Sequence, residues 1–409
     1  MDLSENLKKY ADLILRVGLN VKPGDNILLR VTEDGLPLAR EIARQAYGAG
    51  VHHIHSVFTD DAMTLARFTH APDEAFESYP EFFVDFSEQA YLHGFHLVNL
   101  AAPNPELLKT VSPARIGAWQ KVMALASEKL MPYVMENRVK WTMAALPTPA
   151  WAASVFPDLP LSDAMEKLWE NIFHVVRVDQ ADPVAAWREH EENLKNHENR
   201  LNELAFEKLI YQGPGTDLEV YLPEGHIWLG GCSVSPSGER FMPNIPTEEV
   251  FTMPHAYKVN GRLKATMPLA TRGRIIEGMT FVFKDGAVID YAASEGEDIL
   301  QDILDTDEGA RRLGEVALVA HDSPISQTGL LFKNTLFDEN ASCHFALGNA
   351  YAENHVRGAL MDKEEKKRNG MNDSITHVDF MVGGPELNVT GVKKDGSKVK
   401  ILVNGNWVI

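Results

Sequence analysis

Short apolar runs at residues 27–31, 51–58, 95–101 and 141–146 are separated by stretches of helical length and periodicity. This alternation constrains the fold more than any other feature of the chain. Parallel strands need a crossover of a dozen or more residues, usually a helix, and such crossovers are right-handed. The first half is therefore expected to be an α/β domain with a mainly parallel sheet. Leu7, Tyr10, Ala11, Ile14 and Leu15 recur at helical spacing ahead of the Lys22-Pro23-Gly24-Asp25 turn. A second helix over 37–47 ends at Gly48 and Gly50, and further helices are expected around 107–131 and 161–169.

The polar stretch 183–204 carries Trp187, Leu194, Leu201 and Leu204 on one side, the pattern of a surface helix bridging to a second domain. Gln212-Gly213-Pro214-Gly215 sets the expected boundary, with residues 1–212 forming the N-terminal α/β domain and 213–409 the C-terminal one. Beyond it the texture changes to short strands with turn signals, at 218–222, 262–268, 280–284 and 287–291. A last hairpin region over 389–408 turns at Asp395-Gly396 and Asn404-Gly405. With helices near 297–304 and 306–312, the second domain reads as mainly antiparallel α+β.

Bulk properties narrow the function. The 409 residues, 44% of them hydrophobic, can bury cores for two or three domains. A net charge of −19 repels phosphate backbones, so nucleic acid is not an expected partner. No apolar run approaches a membrane span and the polar, acidic N-terminus lacks signal-peptide character, so a cytoplasmic protein is expected. Two cysteines, Cys232 and Cys343, give no disulfide framework and no four-cysteine zinc site.

Several motifs are set aside. His52, His53 and His55 lie in a strand with no carboxylate at ligand spacing, and are read as structural. His190-Glu191 and His197-Glu198 lack the second histidine of the helical one-zinc motif. Ser233, Ser235 and Ser237 complete no nucleophile elbow. Gly213-Pro214-Gly215 and Gly383-Gly384 are turns rather than phosphate cradles, and the charged run 362–368 is a solvated face.

What remains is a set of acids and imidazoles in apolar frames. In a strand, residues two apart share a face, so His377 and Asp379 can meet one ion while Val378 and Phe380 pack behind. Glu339 and His344 lie within one short segment. Of Glu248 and Glu249, neighbours in an extended chain, one should face inward. Glu315 starts an apolar strand, where a buried carboxylate needs a partner, and a metal ion is one such partner. Four carboxylates and two imidazoles match what a pair of zinc, cobalt or manganese ions requires, one carboxylate bridging.

The segments Asn-Ile-Pro-Thr-Glu-Glu-Val-Phe-Thr at 244–252, Leu-Gly-Glu at 313–315, Asp-Glu-Asn-Ala-Ser-Cys-His-Phe-Ala-Leu-Gly-Asn-Ala-Tyr at 338–351 and His-Val-Asp-Phe-Met at 377–381 occur in this order. Together they resemble the aminopeptidase T family of metallopeptidases, which includes aminopeptidase S and PepS, along the whole chain. The resemblance implies a metallo-aminopeptidase, a hydrolase with two divalent ions (zinc, cobalt, or possibly manganese or magnesium) that releases N-terminal residues from peptides, and a homodimer. It implies Glu249, Glu315, Glu339, His344, His377 and Asp379 as metal ligands and Tyr351 as the catalytic donor. Asp338 is the alternative to Glu339, and Glu315 is the first choice of bridge.

On this reading a metal-activated water attacks the scissile carbonyl, one ion can hold the free α-amine, and Tyr351 donates to the oxyanion. Glu248 is one conceivable general base. Two other readings use the same residues differently: a dinuclear phosphoesterase, which would want cations beside the metals, and a metal-free α/β binding protein.

Overall fold

The computed structural model describes residues 2–271 and 274–409. The chain forms two compact units, residues 1–189 with 232–246, and residues 190–231 with 247–409. The sequence reading places its boundary at 212–213; as folded, the division falls inside the helix Pro183–Leu204, and residues 232–246 return to the first unit.

In the first unit the parallel sheet has the order Asn244–Ile245, Trp141–Ala145, Phe95–Ala101, Asn26–Thr32, His53–Thr59. The strand Asn26–Thr32, one in from the edge, is largely buried, as a strand covered by crossover helices must be, whereas the edge strand His53–Thr59 is largely exposed. His53 and His55 both stand on that exposed edge, and the His55 ring lies against Phe86. The Tyr10 hydroxyl, fully buried, donates to the Ala145 carbonyl at 2.9 Å and fixes the first helix, Leu3–Leu13, to the strand Trp141–Ala145. The expected helix over 107–131 is instead Pro113–Ser127 followed by Met131–Met135, and helices Asp61–His70 and Glu81–Leu92 add to those foreseen.

The second unit contains two larger antiparallel sheets. The eight-stranded one includes Lys208–Gly213, Thr216–Tyr221, Val259–Lys264, Thr280–Lys284 and Ala287–Ala292, and ends in Asn388–Val392, Lys398–Val403 and Asn406–Trp407. The five-stranded one runs His377–Met381, His344–Gly348, Leu313–Val319, Glu249–Thr252, Leu229–Gly230. They share one core, in which Tyr211 and Phe281 of the first meet Phe345 and Phe380 of the second. Leu194, Leu201 and Leu204 of the long helix join it.

Two expected elements differ here. The strand foreseen over 262–268 runs Val259–Lys264, and the helix over 306–312 is only a single tight turn, Gly309–Arg311. At Gly309 the backbone passes so close to Asp373 that an added Cβ would sit 2.0 Å from its carbonyl oxygen. The Asp307 carboxylate accepts from Ala310 N–H, Ile375 N–H and the Ser374 hydroxyl, tying the chain down before a helix can propagate.

Candidate metal centre

Register explains how distant segments converge. In the five-stranded sheet Ala317 pairs with His344, Glu315 with Ala346, Ala346 with Asp379, Gly348 with His377, and Glu249 with Val319. Directly opposed residues of an antiparallel pair share a face, as do residues two apart on one strand. Glu249, Glu315, His344, His377 and Asp379 therefore stand on one face of four adjacent strands. Between them on that face are Ala317, Ala346 and Gly348, small residues that leave space above the sheet. The opposite face carries Val250, Val316, Leu318, Phe345, Leu347 and Phe380, all buried in the shared core.

A β-bulge in the Leu-Gly-Glu segment aims Glu315. The register shifts between Leu313 and Glu315, and at Gly314 a Cβ would lie 2.3 Å from the carbonyl oxygens of both Gly348 and Asn349. Asn372 braces this point from behind, its amide donating to the Gly348 and Gly309 carbonyls.

The donor atoms form two groups that share Glu315: Glu249, Glu315 and His344, and Glu315, His377 and Asp379, each with its atoms within 4.8 Å of one another. His344 Nε2 lies 3.1 Å from Glu249 Oε2 and 3.8 Å from Glu315 Oε1, while His377 Nε2 lies 3.3 Å from both Glu315 Oε2 and Asp379 Oδ1. The two oxygens of Glu315 thus address different imidazoles. Each imidazole is oriented from its other nitrogen, His344 Nδ1 against the Ser342 carbonyl at 3.1 Å and His377 Nδ1 against the Asn349 carbonyl at 2.8 Å. A carbonyl only accepts, so Nδ1 carries the proton and Nε2 is the atom left to bind an ion. Glu249 Oε2 is buried and, despite its approach to His344, accepts no hydrogen bond.

Electrostatics mark the group as short of positive charge. Burial alone would raise Glu315, but the neighbouring imidazoles of His344 and His377 overcome it and bring its carboxyl down to about 2. Burial would lower His377, yet Asp379 and Glu315 lift it to about 11; His344 is likewise driven up by Glu249 and Glu315. Glu249 is raised by burial, and so, more strongly, is Glu339, with Asp379 and Glu249 adding to the effect. The imidazoles cannot neutralise four carboxylates at once.

Glu339, in the turn Glu339–Ala341, belongs to neither group of three, but it feels Asp379, Glu249, His344 and Glu315. Its neighbour Asp338 turns the other way, accepting the Phe332 and Asn334 amides at 2.7 and 3.0 Å. Glu248 also points away, its Oε2 3.5 Å from His190 Nε2, as strand alternation predicts for the neighbour of Glu249. Tyr351 lies over His377, ring centroids 4.7 Å apart, and burial plus the charges of Glu315, Asp379, Glu339 and Glu249 push its phenol well above the ordinary value.

Sequence reasoning missed the framework residues. Asn340, fully buried, accepts the Glu248 amide at 2.8 Å and donates to the Leu336 carbonyl, so it sets the backbone entering Glu249. Only its place beside Glu339 in an apolar segment could have drawn attention to it.

The model of a family described as thermophilic metalloprotease (M29) matches residues 3–407. Aminopeptidase 2 of Geobacillus stearothermophilus is 48% identical over 403 residues, covering 98% of each chain. Aminopeptidase AmpS of Bacillus subtilis (strain 168) is 43% identical over 99% of this chain and 98% of its own. Among solved structures, wild-type AmpT from Thermus thermophilus superposes with a TM-score of 0.94 at 38% identity, covering 99% of both chains. A family match over nearly the full length, with relatives this similar end to end, makes the chain a member of the M29 metalloprotease family, a family of hydrolases.

Proposed function

We propose that this metallo-aminopeptidase releases N-terminal amino acids from peptides with two divalent ions, zinc or cobalt, with manganese or magnesium as alternatives. Glu249 and His344 would hold one ion and His377 and Asp379 the other, with Glu315 common to both groups and Glu339 completing the set. The observation that carries this reading is the membership of Glu315 in both donor groups, with one carboxylate oxygen toward each imidazole. The donor chemistry also fits: oxygen and imidazole ligands, buried, with Nε2 atoms presented and Glu249 Oε2 accepting no hydrogen bond.

Bound there, such ions lower the pKa of a water toward neutrality and polarise a carbonyl oxygen. The chain's own residues supply the rest. Tyr351 keeps its proton throughout the neutral range, because burial and the surrounding carboxylates oppose the phenolate. It is therefore a donor for the oxyanion that develops on the scissile carbonyl. The backbone carbonyls of Ser342 and Asn349 hold the imidazole rings in one orientation, so the ligand atoms need not reorganise during turnover.

Family membership sets aside the metal-free binding protein, and the dinuclear phosphoesterase loses ground with it. That enzyme would want Lys or Arg beside the metals, and among the described residues the ion pairs of these carboxylates are with His344 and His377 alone.

The assembly we infer is a homodimer, on the family resemblance and on exposed apolar side chains such as Phe82, Phe83 and Leu92. The location we infer is a reducing cytoplasm, consistent with Cys232 and Cys343 being outside any disulfide. Among the described residues no helix is long and apolar enough to cross a membrane. The test of the central reading is metal content per chain measured alongside hydrolysis of a panel of aminoacyl and dipeptide substrates. Two ions per chain with aminopeptidase turnover is the expected result; turnover in verifiably metal-free protein would overturn it.

A further inference from the structure

Asn340 sits in the turn Glu339–Ala341 and is fully buried, so both ends of its amide need partners. Its Oδ1 accepts the Glu248 N–H at 2.8 Å, and its Nδ2 donates to the Leu336 carbonyl at 3.1 Å and lies 3.5 Å from Glu339 Oε1. One side chain thus meets the backbone entering Glu249 and the carboxylate of Glu339, joining segments 92 residues apart.

Both attachments are anchored. The strand begins at Glu249, and the N–H just before it is taken by Asn340 rather than by a neighbouring strand. Leu336 belongs to the short helix Thr335–Asp338, where the Asn334 side chain accepts the Leu336 N–H and Asp338 accepts the Phe332 and Asn334 amides. Glu339 is therefore held between two buried neighbours whose side chains are committed, Asp338 to the loop before it and Asn340 to the segment entering Glu249. The other half of the centre has separate supports. Asn372 donates to the Gly309 and Gly348 carbonyls behind Glu315, and the Asn349 carbonyl orients His377.

We propose that Asn340 is a positioning residue for the metal centre: it fixes the spacing between Glu249 and Glu339, and occupancy of one of the two ion positions depends on it while the other does not. This rests on the two-ion reading above and adds to it the group that sets the geometry of one half. Buried carboxylates repel one another, so left alone Glu249 and Glu339 would move apart. A rigid support that holds them together before an ion arrives removes that rearrangement from the cost of binding. Asparagine suits the place because it offers an acceptor to one segment and a donor to the other without adding charge.

The test is stepwise binding of cobalt to the chelated protein, followed by ligand-field absorption and by competition with a chelator of known affinity. Wild type should take up two ions. In Asn340→Ala one ion should bind about 10- to 100-fold more weakly, the loss seen when the partner of a metal ligand is removed, while the other keeps its affinity. The absorption of the weakened position should change as well. Asn202→Ala is the matched control, because Asn202 accepts the Trp228 N–H and donates to the Trp228 carbonyl, both at 2.9 Å, and so makes the same pair of bonds away from the candidate ligands. It should lose stability toward denaturant and keep both cobalt affinities. Asn340→Ser, too short to span the two segments, carries the comparison if Asn340→Ala does not fold. Two wild-type affinities in the Asn340 variant, two weakened alike, or the same selective loss in Asn202→Ala would each overturn the proposal. A wild type that binds fewer than two ions would instead overturn the two-ion reading itself, so the two failures are distinct.

Discussion

The two units each bury a cluster of ionisable groups, and the clusters are built on opposite principles. In the first unit, fully buried Lys140 places Nζ 2.9 Å from Asp25 Oδ2 and 3.5 Å from Glu239 Oε1, and His96 Nε2 lies 3.8 Å from Asp25 Oδ1. Burial would raise Asp25, but His96, Lys140 and the Lys22 amide hold it well below the usual carboxylate range. This cluster contains its own cation. It ties Glu239, on the returning segment, to the start of the strands that begin at Asn26 and Trp141. The cluster of the second unit gathers Glu249, Glu315, Glu339 and Asp379 around two imidazoles, with no lysine or arginine paired to them among the described residues. A structural cluster closes its charge from within the chain, whereas the candidate catalytic one leaves an excess of carboxylates that protons or an added cation can balance.

Removing that cation should have the largest effect. Chelation should abolish peptidase activity, and zinc or cobalt should restore it, because the ligands bind only when deprotonated and no cysteine is required. His377→Ala and Asp379→Ala should each lose both metal and activity. Full turnover after chelation would erase the distinction between the clusters.

Breaking the self-contained cluster should act on stability alone. Lys140→Met leaves partly buried Asp25 without its lysine while His96 and the Lys22 amide remain, which places the cost at about 3 kcal/mol, the lower end for losing one partner of a buried pair. Chemical denaturation should show this loss while metal per chain remains at the wild-type value. A variant of normal stability that had lost metal would invert the comparison.

How much of this was legible in the sequence follows from how each element encodes itself. Strands such as Phe95–Ala101 and Thr280–Lys284 appear where expected, because an apolar run bounded by turn residues carries its own signal. The strand Asn244–Ile245 has two residues and no period to detect, so the return of 232–246 to the first unit was invisible, and the boundary was read as a single break. At the site, the pairing of His377 with Asp379 followed from strand alternation, which left Glu248 and Glu249 open; the resemblance chose Glu249, and in the fold Glu249 lies beside His344 while Glu248 faces His190. The register that puts Ala317, Ala346 and Gly348 between the candidate ligands is a pairing of distant strands, which no local pattern specifies. Asn340 was missed for the same reason, since its partner Glu248 lies far away in sequence.

Tyr351→Phe sharpens the comparison within the catalytic cluster. Loss of one oxyanion donor should lower kcat by about 10²–10³. Metal content should not change, since the phenol is assigned to the substrate and not to an ion. A near-normal kcat would remove Tyr351 from the mechanism.

The pH dependence of stability separates the clusters further. His377 is raised above its unfolded value, so its contribution is complete below about 6.5 and is lost as pH rises through about 11. Glu339 and Glu249 are also raised, so above the ordinary carboxylate range the folded state binds more protons than the unfolded one, with the same sign. Metal-free protein should therefore lose stability steadily from neutrality upward. Bound ions take the place of those protons and bind more tightly as the imidazoles deprotonate. The gap in Tm between loaded and chelated protein should widen between about pH 6.5 and 9. A constant or narrowing gap would break the reading of the cluster as a site short of positive charge.

The smallest expected effect lies at the exposed edge of the parallel sheet. His53 stands in the strand His53–Thr59 with its side chain in solvent. A surface residue away from caps, cores and networks changes stability by no more than about 0.5 kcal/mol when replaced. His53→Ala should therefore preserve folding, metal content and turnover together. The residue still tests the assignment, because a histidine near others in sequence, here His52 and His55, is what a metal site looks like when only spacing is known. Distance in the fold decides otherwise: the ring near His53 is that of His52, and His55 lies against Phe86, with no carboxylate gathering them into a ligand set among the described residues. If His53→Ala alone depleted the metal, the ions would belong to the first unit, and the charge deficit around Glu315 would need another explanation.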